Sequence, residues 1–172
     1  MKLKRIDTYT DMEADTRLPS AYGVADTPGL AYGTDKHGSA MPAGDAGADW
    51  IVRRNAVGLR QAFVIAEAWE LSQAALGTLL GTVPRNLQRW RQQVEAGEGL
   101  NLSADTVERL SYLLGIWKAL GILLPTPANR LLWLRNANSD APFNGQAPLA
   151  RLLAGQVADL YVVRHYLDGA RS

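Results

Sequence analysis

The sequence contains no cysteine. That excludes disulfides, thiolate catalysis and most structural zinc sites. Histidine is nearly as scarce, and the 2 present, His37 and His165, stand in no metal-ligand or triad-like spacing. There is no glycine-rich phosphate loop of Walker or Rossmann type, so catalysis has little to stand on and no enzyme activity is expected. Asp105 and Glu108, three apart at a helix start, are read as capping and dipole partners rather than as an acid/base pair. Long hydrophobic runs are missing too. The greasiest stretch, LLGIWKALGILLP, is too short to span a bilayer and carries Lys118. The opening MKLKRIDTYTDMEADTRLPS has a basic tip with no apolar stretch behind it, unlike a secretory signal. A soluble cytoplasmic protein with no membrane partner is expected.

Net charge is almost absent: 18 Lys/Arg against 17 Asp/Glu leave +1, which argues neither for nor against a polyanionic partner. Its distribution says more. Residues 1–50 hold five Lys/Arg and eight Asp/Glu, residues 51–97 hold six and three, and residues 98–172 hold seven and six. The middle segment is the basic one.

What is present suits one domain or two small ones, since 172 residues at 47% hydrophobic content can bury a core. Residues 7–49 are rich in Gly, Asp, Ala, Thr and Pro, with apolar residues too sparse for a periodic face, so residues 1–50 are read as a flexible N-terminal arm. Tyr9, Tyr22 and Tyr32 leave two readings open, anchors on a partner or a disordered leader. Met41 is a second candidate start. From Trp50 onward apolar residues recur at three- and four-residue spacing, which predicts an all-α protein.

A first helix is expected from about Ile51 to Glu70, with Leu59, Ala62, Phe63, Ala66 and Trp69 on one face. A second starts at Ser72 as N-cap, buries Leu76, Leu79 and Leu80, and stops at Gly81. A third runs from about Val83 to Ala96. The segment EAGEGLNLS is a loop, and Ser103 caps a fourth helix that reaches about Leu124, where PTP ends it. Short helices follow near 127–136, 148–154 and 157–168, the first two separated by NANSDAPFNGQAP, with Pro148 in a first turn.

The stretch LSQAALGTLLGTVPRNLQRWRQQ has the spacing that two helices crossing at a tight turn need. Leu76 and Leu80 face inward, small Ala75 and Gly77 lie where the next helix passes closely, and Gly81 permits the turn. On a wheel of 100° per residue Val83, Leu87, Trp90 and Val94 share one side, with Arg85, Arg89 and Gln92 opposite. Arg contacts guanine edges or phosphates and Gln and Asn read adenine edges, so Arg85, Asn86, Gln88, Arg89, Gln92 and Gln93 are the candidate DNA-binding residues. Acidic residues are absent from this stripe until Glu95. An ordinary solvated helix face is the bland alternative.

The stretch SQAALGTLLGTVPRNLQRW resembles the helix-turn-helix of the Xre-like (Cro/repressor-like) regulators at Ser72-Gln73, Leu76, Leu80-Gly81, Leu87 and Arg89-Trp90. It departs from them at Val83, where that family carries Ser or Thr, so capping is expected from Thr82 with Pro84 in the first turn.

A DNA reader of this kind is complete by about residue 97. In the fourth helix eleven of the fifteen residues from Leu110 to Leu124 are apolar, and Lys118 is the one charge. Two readings are open: the centre of a single bundle, or a helix with one side in a homodimer interface. The chain then closes with WLRNANSDAPFNGQAPLARLLAGQVADLYVVRHYLDGARS. This resembles the toxin-binding domain of the Xre/MbcA/ParS antitoxins at Trp133-Leu134, Asn136, Asn138, Gly145, Pro148-Leu149, Leu152-Leu153-Ala154-Gly155, Val162-Val163 and Tyr166-Leu167. The two resemblances cover about residues 60–171.

Together they imply an antitoxin of a type II toxin-antitoxin system. Its partners would be a RES-domain toxin that attacks NAD and the operator DNA of its own operon, bound by a homodimer within a larger complex, and it would need no cofactor. The layout is then an arm over 1–50, a helix-turn-helix domain over 51–100, and a dimerisation and toxin-binding domain over 101–172. An NAD pocket must accept a diphosphate, so a slender tail ending in a cation suits it. In DGARS, Gly169 is expected to end the helix and Arg171 to be that cation, although an incidental arginine at a frayed end is the alternative. The candidate toxin-binding residues are Leu160, Tyr161, Arg164, His165, Asp168, Gly169, Ala170 and Arg171, with core as the alternative for part of this face, Leu160 above all. A stand-alone transcriptional regulator, whose last helices dimerise or sense a ligand, is the competing function.

Overall fold

The computed structural model describes residues 45–171. The expectations placed on Tyr9, Tyr22, Tyr32, His37 and Met41 lie outside them. Among the described residues there are seven helices: α1 (Asp45–Ala68), α2 (Gln73–Leu80), α3 (Pro84–Glu95), α4 (Ala104–Leu123), α5 (Pro127–Arg135), α6 (Pro148–Leu152) and α7 (Val157–Arg171). Among the described residues there is no strand, and the fold is all-α. No helix among them is long and apolar enough to cross a membrane.

Two of the expected boundaries move. α1 begins at Asp45 rather than near Ile51, so the last part of the expected arm is helix. Asp49 pairs with Arg53 at 2.9 Å, and the Arg54 guanidinium lies 4.9 Å from the Trp50 ring centroid. These are contacts one helical turn apart, which an average over composition does not register. At the other end α7 runs through Gly169 to Arg171 instead of stopping at Gly169.

α4 is the axis of the fold. Its Leu113, Ile116, Ala119 and Leu120 are fully buried. α1, α2 and α7 all pack on it within the one chain. Its second half leaves Lys118 and Ile122 exposed. Ser103 caps it as expected, its hydroxyl accepting from the Thr106 N–H at 3.1 Å. The loop before it is stitched back to α1. Asn55 Nδ2 donates to the Leu100 carbonyl at 3.0 Å, and the Leu100 N–H donates to the Val52 carbonyl at the same distance.

Arg109 of α4 reaches from its own helix to the turn before α7. Its Nε pairs with Asp105 at 2.8 Å, and its Nη1 donates to the Gly155 carbonyl, in the turn between α6 and α7, at 2.9 Å. The same pair lies against Gly81, where an added Cβ would meet Asp105 Oδ2 at 2.5 Å and Arg109 Nε at 2.8 Å. The Asp105–Arg109 pair thus lies beside the α2–α3 turn and ties α4 to the α6–α7 turn.

The loop between α5 and α6 closes on itself: Gly145 N–H donates to the Asn138 carbonyl at 2.8 Å and Asn138 N–H to the Gln146 carbonyl at 3.1 Å. Trp133, Phe143 and Tyr166 pack ring to ring beneath it. The Tyr166 hydroxyl donates to Asp140 at 2.9 Å. Burial first, and that bond second, raise the phenol above the ordinary tyrosine pKa.

Candidate functional site

The α2–α3 turn is fixed by local chemistry. Ser72 caps α2 by accepting from the Ala75 N–H at 3.1 Å. Gly81 ends it in the left-handed region at φ 65°, ψ 35°, which a side-chain-bearing residue adopts only with strain. The chain then doubles back so tightly that Thr82 N–H donates to the Gly77 carbonyl at 2.8 Å. A Cβ on Gly77 would stand 2.6 Å from the Thr82 carbonyl oxygen. Leu76, Leu79 and Leu80 are buried beneath this crossing, as the spacing predicts.

α3 is held down by Leu87, Trp90 and Val94, all buried. Val83 does not join them. It is the N-cap, with extended backbone at φ −94° and ψ 154°, and it is 57% exposed. The 100° wheel places a residue correctly only inside the helix, and Val83 lies just outside it. The capping expected from Thr82 is not made either: no side chain caps α3, and the Thr82 hydroxyl accepts from Asn86 Nδ2 at 3.0 Å. Pro84 does take the first turn.

The face opposite the buried residues carries Arg85, Gln88, Arg89 and Gln92, all exposed. Arg85 and Arg89 enter no ion pair among the described residues. Asn86 and Gln93 are half-buried, and Asn86 spends a donor on Thr82. Gln88 Nε2 donates to Gln73 Oε1 at 3.4 Å, which brings the start of α2 onto the same surface. Arg91 was not among the expected residues. Its guanidinium lies 4.3 Å from the Phe63 ring centroid, a contact between α3 and α1 with no signal in the local pattern.

The second group of expected residues divides. Leu160 is 1% exposed and belongs to the core with Val163 and Leu167, so it is withdrawn from the candidate docking surface. Tyr161 is 46% exposed, meets Tyr112 of α4 edge-on with ring centroids 6.0 Å apart, and lies 3.8 Å from the His165 ring. His165 Nδ1 is 3.1 Å from the Tyr161 carbonyl. Tyr112 donates to Glu108 at 3.4 Å; desolvation first, then the Glu108 carboxylate, raise its phenol above the usual value. In the sequence Tyr112 counts as one more apolar residue of α4, and its place beside α7 emerges only from the helix packing.

Arg164 is half-buried, with Nε 2.8 Å from Asp168 and its head laid on α4 at Gly115, where an added Cβ would meet Nη1 at 2.5 Å. Asp168 also pairs with Arg171 at 3.3 Å. The closing DGAR segment is thus the last turn of a helix with its cation tethered, rather than a slender extension. No cluster of metal-ligating side chains occurs among the described residues.

Comparison with known proteins adds two findings. Residues 52–115 match the model of the antitoxin Xre-like helix-turn-helix domain, a span that covers most of α1, all of α2 and α3, and the first part of α4. An uncharacterized protein of Sinorhizobium fredii (strain NBRC 101917 / NGR234), y4oB, is 42% identical over 110 residues, covering 63% of this chain and 80% of that one.

Proposed function

The chain belongs to the family of antitoxin Xre-like helix-turn-helix proteins, and we propose that it acts through two surfaces. α3 binds operator DNA and represses the chain's own operon, and the face shared by α4 and α7 binds and neutralises a RES-domain toxin that attacks NAD. One observation carries the first half: an exposed stripe of Arg85, Gln88, Arg89 and Gln92 on a helix whose other face is locked by Leu87, Trp90 and Val94. Asn86 and Gln93 flank the stripe. Two copies of the chain, acting in the cytoplasm, would read two half-sites.

For the second half the docking residues are Tyr161, Arg164, His165, Asp168, Gly169, Ala170 and Arg171, joined by Tyr112 and Glu108 of α4. Exposed aromatic and arginine side chains in one patch are what binding hot spots are made of. Gly169 sits in the final turn, where glycine costs about 1 kcal/mol of helix stability relative to alanine. That turn unwinds readily, and Arg171 then exchanges Asp168 for the place of the NAD diphosphate in the toxin pocket. No cofactor is required of this chain.

Co-expression with the product of the adjacent gene, followed by co-purification, tests the pairing. Ending the chain after Leu167 keeps the buried side chains of α7. It is expected to leave operator binding unchanged while weakening toxin neutralisation; unchanged neutralisation would remove the tail from the mechanism. Gly115→Ala probes the face itself. The clash it creates is with the far end of a flexible arginine, and alanine is the better helix former by about 1 kcal/mol. Thermal stability is therefore expected to hold or rise, while Arg164 is displaced and affinity for the toxin falls by about tenfold in a calorimetric titration.

A further inference from the structure

Val83 breaks two local preferences at once. It occupies the N-cap of α3, where Ser, Thr, Asp or Asn would satisfy a free backbone N–H, and it makes no capping bond. It is also the most exposed of the large apolar residues among those described, at 57%. No neighbour compensates for either: the Thr82 hydroxyl is engaged by Asn86, and Pro84 and Arg85 beside it are themselves exposed. A position that forgoes local stability without gaining packing is where function is to be sought.

The first residues of a helix that enters the major groove are the ones that reach base edges. There the thymine C5-methyl is the apolar group on offer. A β-branched side chain is stiff at χ1, so its methyl groups are presented to such a contact with little entropy left to lose. We propose, building on the operator-binding reading above, that Val83 is a specificity-determining residue. Its isopropyl group packs on a thymine methyl in the operator, beside the base or phosphate met by Arg85. The occupant is duplex DNA rather than a protein because the surface around Val83 continues into the stripe of Arg85 and Arg89, with no carboxylate on α3 before Glu95.

The test uses duplexes that the full chain selects from a random-sequence pool, remade with deoxyuridine in place of each thymidine in turn, which removes one methyl group and nothing else. At one thymidine the substitution is expected to lower affinity about fourfold, the worth of one buried methyl. Val83→Ser is expected to bind the thymidine and deoxyuridine duplexes equally at that position and to respond as the unmodified chain does elsewhere. The serine also supplies the missing cap, so its melting temperature is expected to be no lower, which separates a lost contact from a lost fold. The inference is overturned if no thymidine shows an effect that Val83→Ser removes, or if Val83→Ser leaves duplex binding intact and instead releases the toxin. Failure of the operator-binding reading looks different: the full chain then selects no duplex, and the inference falls with it.

Discussion

Arg85→Ala combined with Arg89→Ala is expected to lower affinity for operator DNA by about a hundredfold or more, measured by fluorescence anisotropy at fixed salt. Each side chain is exposed and, among the described residues, enters no ion pair, so both guanidinium groups are available to the duplex. A good arginine contact to a guanine edge is worth roughly 1–3 kcal/mol, and a phosphate contact releases about one counterion. The slope of log affinity against log salt should therefore flatten by roughly 1–2. Stability is expected to change little, because neither side chain packs against the core. Unaltered binding and an unaltered slope would mean that another face of the molecule meets the nucleic acid.

Gly77→Ala carries the second large effect, this time on the fold. The new methyl group would stand 2.6 Å from the Thr82 carbonyl oxygen, and backbone cannot swing aside as the end of a long side chain does. Overpacking of this kind costs about 1–3 kcal/mol, read as a lower midpoint at unchanged slope in urea unfolding. Relief requires α3 to shift relative to α2, so operator affinity should fall further than the fraction unfolded explains. Gly121→Ala serves as the control. Nothing lies within 4 Å of its Cβ position, it sits inside α4, and alanine there is expected to stabilise by up to about 1 kcal/mol. Equal outcomes for the two glycines would mean that the crossing is looser than its geometry indicates.

The parts of this molecule legible in the sequence are those decided within a turn or two of chain. Ser72 and Ser103 as caps, Gly81 as the left-handed stop, Pro84 in a first turn and Leu76, Leu79 and Leu80 as buried residues each follow from local rules, and the structure has them all. The misjudged positions depend on neighbours distant in sequence or on helix ends. Leu160 is open in the sequence between docking face and core, and its burial decides for core. Val83 falls on the apolar side of a wheel extended one residue too far, for it is the N-cap and lies just outside the helix. Gly169 was read as a stop, yet helix continues past it to Arg171, whose pairing with Asp168 one turn back favours the helical form. Arg91 on Phe63 and Tyr112 beside Tyr161 left no trace in periodicity, since each joins two helices that only the fold brings together.

α4 has a consequence for anyone who would divide the chain. Cutting before it, near residue 100, would strip α1 and α2 of the helix they pack on, whose Leu110, Leu113 and Ile116 are buried, and would part Arg109 from the α2–α3 turn it lies beside. Such a fragment would keep every residue of the reading helix yet display a greasy wound in place of a core, and its fate is precipitation rather than binding. A modular diagram with two boxes and a line between them therefore misdescribes the mechanics: one beam is common to both rooms.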